Sequence, residues 1–227
     1  MKIVVFAPHP DDEIIRCGGS ILKWIEEGND VHIVYVTDNR KLISWGRKEN
    51  QLIEDAAKEF INLSEDEIGL IGLREAEQVA KEFGFPRENV HMFKFYDQDA
   101  INQINKGIEL SKNIIKDSDR VVLPSDNNQH PDHQATHNMV KRAAQQLNLK
   151  DIEFYVYALH TRYKVPKEKQ IRIKIANYRE KLYDLLKIYK TQLALKDTRD
   201  ALDSLKYYRF ERFGMFRIED VNKFYNF

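Results

Sequence analysis

Ile3 to Ala7 form an unbroken apolar run rich in β-branched residues, closed at once by Pro8-His9-Pro10-Asp11-Asp12-Glu13. Such a run reads as an inner strand of a parallel sheet, covered on both faces. An inner parallel strand commits the chain to crossover helices, and the next 150 or so residues supply them. Asp11, Asp12 and Glu13 mark a helix start at the positive end of its dipole, Ile14, Ile15, Ile21, Leu22 and Ile25 make its apolar stripe, and Gly28 ends it. Gly18 and Gly19 inside that helix cost about 1 kcal/mol each relative to Ala, so a close approach of backbone to the sheet is expected there. Further strands are expected at Val31 to Val36, at Val90 to Phe95, from Val121, and at Ile152 to Ala158. Helical patterns separate them: Arg40 to Gly84, broken near Leu63-Ser64 or Gly69 to Gly72; the Ile101, Ile104, Ile108, Ile115 series; and His133 to Leu147. The alternation predicts an α/β fold, a doubly wound, Rossmann-like, mostly parallel sheet with right-handed crossovers. An amphipathic helix around Tyr178 to Leu195 and a β-rich end near Tyr207 to Ile218 make residues 161–227 a small C-terminal α+β extension packed on the 1–160 core, within a single domain of 227 residues.

Charge narrows the function. Thirty-six Lys and Arg balance thirty-six Asp and Glu, so no bulk field draws the chain to nucleic acid or an anionic membrane, and a small-molecule substrate is favoured. The lone cysteine, Cys17, precludes an internal disulfide and reads as a buried small apolar residue. Five apolar residues before Pro8 are too few for a signal core or a membrane span, and a cytoplasmic location is expected.

In a sheet of order 3-2-1-4-5, strands one and four meet at the switch point where ligands bind beyond the strand ends. His9 to Glu13 follow strand one, and Gln129-His130-Pro131-Asp132-His133-Gln134-Ala135-Thr136-His137 follow strand four. A catalytic zinc takes three His or carboxylate ligands and leaves a position for water. His9, Asp12 and His133 offer such a set. An unligated carboxylate must carry the proton, a role for Asp11. A protonated imidazole such as His130 could steady the oxyanion, and Asp132 could orient a ligand imidazole. An isolated His-x-x-Asp is more often a helix cap, but the second histidine cluster beside it favours a site. His137 reads as a core or surface histidine.

Ala7-Pro8-His9-Pro10-Asp11-Asp12-Glu13, Cys17-Gly18-Gly19 and His130-Pro131-Asp132-His133 together resemble the zinc-dependent N-acetylglucosaminyl deacetylases of the PIG-L/LmbE type. The resemblance runs more weakly through Val36-Thr37-Asp38, Arg74-x-x-Glu77, Asp97 and Tyr189-x-Thr191-Gln192. It implies His9, Asp12 and His133 as ligands of Zn2+, or of another divalent metal such as Fe2+, with Asp11 as general base and His130 at the oxyanion. It also implies Arg74 and Asp97 as groups that hold the sugar, and an amino-sugar conjugate as substrate. The sequence itself leaves a homo-oligomer open. Glu13 reads as a helix-start charge or a supporting group. Arg16 and Asn39 depart from the family pattern, which usually has a small residue and a glycine there, and the Arg40 to Leu73 stretch is longer than typical.

Two rivals share these residues. Two histidines and a carboxylate also make the facial triad of non-haem iron oxygenases, against which Asp11 and the doubly wound sheet argue. A nucleotide- or sugar-binding module would use the switch point without catalysis, but the first turn lacks Gly-x-Gly-x-x-Gly.

Overall fold

Ile3 to Ala7 are each fully buried, in strand β1 (Lys2–Ala7). The computed structural model describes residues 1–159 and 165–220. After β1 come α1 (Asp12–Glu26), β2 (Asp30–Thr37), α2 (Leu42–Lys48), α3 (Glu54–Ala57), α4 (Glu65–Phe83), β3 (Val90–Phe95) and α5 (Ile104–Ile115). The chain continues through β4 (Arg120–Pro124), α6 (Pro131–Leu147), β5 (Glu153–Tyr157), β6 (Gln170–Lys174), α7 (Arg179–Leu186), α8 (Lys196–Leu205) and β7 (Phe210–Phe216). The sheet order is β3-β2-β1-β4-β5-β7-β6. The first five strands are parallel, in the expected order, with β1 between β2 and β4. The last two are antiparallel, β7 pairing with β5 and β6 with β7. The C-terminal extension adds two antiparallel strands to the sheet, and its α7 packs against α1.

Alternation along β1 explains why the run carries no polar residue. Ile3, Val5 and Ala7 enter one core with Ile14, Ile21 and Trp24 of α1, Val79 and Phe83 of α4, and Leu182 and Leu186 of α7. Val4 and Phe6 enter the opposite core with Ile108 of α5 and Met139 and Val140 of α6. Both faces are covered, so each position must be apolar.

One open alternative is resolved and two local expectations are corrected. The break in the 40–84 region falls at Ser64, where a capping box with Glu67 starts α4, and Gly69 and Gly72 lie inside that helix rather than ending it. Gly69 is there because a side chain would meet Arg40 and Asp38. The close approach at Gly18 and Gly19 is present, but its partners are Leu182 and Ile175, not the central strands. The helix expected over Tyr178 to Leu195 stops at Leu186, because buried Glu75 of α4 captures the Thr191 backbone N–H and hydroxyl and pulls the chain off the helical path. Residues 160–164 lie outside the described residues, and with them the start of the basic stretch from position 162; its end forms β6. No described helix is long and apolar enough to cross a membrane.

Candidate metal centre

The turn after β1 reverses tightly into α1. His9 donates its backbone N–H to Asp12 Oδ2 at 3.0 Å, and Asp11 sits at φ 108°, a conformation costly for any side-chain-bearing residue. Across the switch point, β4 ends at Pro124. Asn128 Oδ1 accepts the His130 N–H at 2.8 Å, and α6 opens on Pro131, the residue type best suited to a first helical turn. These two turns bring His9, Asp12 and His133 together, their ligand atoms all within 4.8 Å of one another and all three residues buried.

Asp12 Oδ2 lies 3.4 Å from His9 Nδ1 and 3.4 Å from His133 Nε2. Bonds of about 2.1 Å in a tetrahedral site give ligand-to-ligand edges of about 3.4 Å, so the donor set fits a divalent ion. The charge balance agrees. Burial opposes charging His9, yet Asp12, Asp132 and Asp97 around its ring outweigh burial and raise its pKa well above the ordinary value. The protonated imidazole thus answers a surplus of carboxylate that a metal would otherwise neutralise. Burial lowers His133 to about 3, keeping it in the neutral form that coordination requires. Burial also works against charging Asp12, but His133 and His9 pull it down to about 2.

The remaining expected residues separate in role. His9 Nε2 lies 3.2 Å from Asp132 Oδ2, and Asp132 also accepts the backbone N–H groups of Gln98 at 2.6 Å and Ala100 at 3.1 Å. A carboxylate so held fixes the ring it faces. Asp97 Oδ1 stands 3.4 Å from the same His9 nitrogen, while its other oxygen accepts the Lys41 N–H. His130 packs edge-on against His9, ring centroids 4.6 Å apart. Burial and the His9 charge lower it to about 4, and its Nδ1 accepts the Asp132 N–H, which leaves Nε2 as the donor nitrogen of a neutral ring. Asp11 is not among the potential ligands but lines the cleft beside them. Burial, then the charges of Asp12 and Glu13, raise its pKa well above a carboxylate's usual value. Arg74 is not brought to the site: it is exposed on α4, which contributes nothing to the cleft wall. His137 is turned away, its Nδ1 2.9 Å from the Pro124 carbonyl.

Three further residues support the site, and of these only Thr198 has no place in the sequence reading. Glu13, fully buried, accepts the Asp11 N–H at 3.0 Å and the hydroxyls of Tyr35 at 3.2 Å and Tyr189 at 2.7 Å. Gln192 and Thr198 are buried and line the cleft, and the Gln192 amide nitrogen has no hydrogen-bond partner among the described residues. Tyr189-x-Thr191-Gln192 stood out only through family resemblance. Nothing in its spacing points to β1. The cleft has a volume of about 870 Å³, with Trp45 of α2 on one wall and Asp197 and Asp200 of α8 on the other.

The profile of the family described as GlcNAc-PI de-N-acetylase (PIG-L) matches residues 4–144. Among solved structures, the fold is similar to N,N'-diacetylchitobiose deacetylase from Pyrococcus horikoshii, with TM-score 0.72 and 19% identity over 96% of this chain and 85% of that one. It is similar also to the teicoplanin deacetylase Orf2, with TM-score 0.72 and 13% identity over 97% of this chain and 100% of that one. At these identities the likeness is one of fold. A putative glucosamine-6-phosphate deaminase-like protein of Bacteroides thetaiotaomicron is 42% identical over 36 residues, which is 16% of this chain and 5% of that protein.

Proposed function

Since the chain belongs to the GlcNAc-PI de-N-acetylase (PIG-L) family, we propose that it is a metal-dependent hydrolase that removes the N-acetyl group from an N-acetylglucosamine-containing conjugate in the cytoplasm. His9, Asp12 and His133 would hold the ion, zinc or another divalent metal. When bound, the ion would polarise the acyl carbonyl and acidify a water. Asp11 takes the proton of the attacking water at its carboxylate and returns it to the departing amine. The raised Asp11 pKa suits that transfer, since the conjugate base of a stronger acid would be too weak to take the proton from water. Glu13 anchors the Asp11 backbone, His130 Nε2–H faces the developing oxyanion, Asp132 fixes His9, and Asp97 stands where a sugar hydroxyl could be held.

The observation that carries the reading is a carboxylate, Asp11, buried in the cleft beside three ligand-type residues without joining them. A pure binding module has no use for it. The test is acetate release from N-acetylglucosamine conjugates with and without chelator. Asp11→Asn is expected to retain metal and lose nearly all turnover, and His133→Ala to lose both. Equal turnover of Asp11→Asn and wild type refutes the assignment of the base.

A further inference from the structure

Two further histidines meet at the end of the sheet away from the cleft. His32 lies near the start of β2 and His91 near the start of β3, the edge strand. The cleft residues follow the carboxyl ends of the strands, and five residues, about 16 Å of strand, separate His32 from Thr37 at the end of β2. By alternation His32 shares a face with Val34 and Val36, and His91 with Phe93 and Phe95, all four buried in the core that α5 and α6 cover. Imidazoles at such positions are costly unless their nitrogens are engaged. The two rings are stacked, with centroids 5.4 Å apart and planes inclined by 11°, and His32 Nδ1 lies 3.1 Å from His91 Nε2. His32 Nε2 lies 3.2 Å from Asp30 Oδ2, and the other Asp30 oxygen accepts the Asn89 amide at 2.8 Å. A carboxylate anchored in this way keeps the His32 proton on Nε2 and turns the Nδ1 lone pair toward His91.

We propose that this pair is a metal site separate from the cleft, in which His32 Nδ1 and His91 Nε2 ligate a divalent ion that favours imidazole, zinc, nickel or copper, and Asp30 orients His32. Bonds of about 2.0–2.1 Å set two ligand nitrogens about 2.9 Å apart at a right angle and about 3.4 Å apart at the tetrahedral angle. The observed 3.1 Å falls between the two. Without an ion, one proton bridges the gap, donated by His91 Nε2 to His32 Nδ1. Coordination moves that proton to His91 Nδ1, and both rings stay neutral. Burial first, and then any positive charge on His32 or Lys2, lowers the His91 pKa to about 4, which favours the neutral ring. Lys2 itself is paired with Asp117 at 3.5 Å. Asp30 is exposed and both histidines are half-buried, so an ion enters from solvent and water completes its coordination. No residue of the cleft takes part. The ion ties the edge strand β3 to β2 where both begin, and it serves the sheet rather than the reaction.

The test is the number of Zn2+ ions bound per chain when chelator-stripped protein is dialysed against the free metal. A His32→Ala/His91→Ala double variant is expected to bind one ion fewer than the wild type. Asp30→Asn should keep that ion but weaken its binding by about tenfold or more, as the loss of an orienting carboxylate does. An equal count in the wild type and the double variant overturns the site, since any extra ion is then adventitious. Nuclear magnetic resonance of the wild-type protein with 15N-labelled histidine reads the same site without a substitution. Added Zn2+ should shift His32 at Nδ1 and His91 at Nε2 together and saturably. Ring nitrogens of His32 and His91 that do not respond to Zn2+ overturn the site, whatever the variants do.

Discussion

Glu211 should make the protein less stable as pH rises from acid to neutral, against the usual behaviour of a carboxylate. It is buried beneath α1, where burial raises its pKa to about 7 even though the Gly19 and Ser20 N–H groups at 2.9 and 2.7 Å pull the other way. In the unfolded chain the same group titrates at 4.5. Between those values the folded protein holds a proton that the unfolded chain has lost, so stability falls with increasing pH throughout that window. At about 1.4 kcal/mol for each pH unit between the two, the loss is about 3 kcal/mol, complete just above neutrality. Glu211→Gln removes the titration. It also sets an amide NH2 against a backbone donor, which costs about 1–3 kcal/mol at all pH values. Urea denaturation of both proteins from pH 4.5 to pH 8 isolates the residue, because every other titrating group is common to both. The wild type is expected to lead at acid pH, with the gap closing by about 3 kcal/mol toward pH 8. Parallel stability curves refute the reasoning, since they would mean that Glu211 is as ionised in the folded protein as in the unfolded chain.

Gly19→Ala places a Cβ 2.5 Å from Ile175 Cβ, an atom tied closely to the backbone, and should cost about 1–3 kcal/mol in thermal or chemical unfolding. Gly18→Ala meets only the far end of Leu182 and should cost less; the reverse order would show that α1 shifts as a unit. Thr191→Val leaves buried Glu75 without its hydroxyl partner and should cost about 1–3 kcal/mol, read from the denaturation midpoint, with no effect counting against the Glu75 anchor. Because the carboxylates around His9 hold it protonated, a divalent metal must displace that proton, and its affinity should rise by up to about tenfold per pH unit through the neutral range. Competition with a chelator measures this, and a flat profile would mean that His9 gives up no proton.

The parallel core was legible because strands covered on both faces read as mostly apolar runs. The edge strand Val90 to Phe95 emerges with the bounds that the pattern sets despite His91 and Lys94, and β1, β2, β4 and β5 differ by a residue or two at their ends. His9, Asp12 and His133 were legible for a related reason: they follow strands whose order places their ends side by side, so topology alone makes the cluster. The failures are long-range. Where α7 stops depends on Glu75, 116 residues from Thr191, whereas the choice between the two breaks offered in the 40–84 region is settled locally, by the capping box at Ser64. Gly69 and Gly72 look like helix breakers until Asp38 and Arg40 are seen packed against that face of α4. Arg74, picked out through resemblance alone, is exposed on α4 and does not line the cleft.

What the C-terminal residues contribute changes how the centre itself is understood. The ligand-type residues come from the two turns at the switch point, but the proton carrier depends on residues far from both. Asp11 is held in an unfavourable backbone conformation, and such strain persists only where the surroundings enforce it. Glu13 grips the Asp11 N–H, and Tyr189, 176 residues further along the chain, grips Glu13. Thr198 of α8 pairs with the Asp11 carboxyl itself. These contacts exist because the extension adds β7 to the sheet edge and returns α7 over α1, into the space that Gly18 and Gly19 leave open. Removing a methylene or a hydroxyl at Tyr189 should therefore be felt as lost turnover before it is felt as lost metal. Tyr189→Phe is expected to keep metal affinity while lowering kcat by about tenfold or more, the cost of about 1–3 kcal/mol for leaving Glu13 short of a donor. Loss of metal in step with turnover would instead place Tyr189 among the supports of the ligands and not of the base.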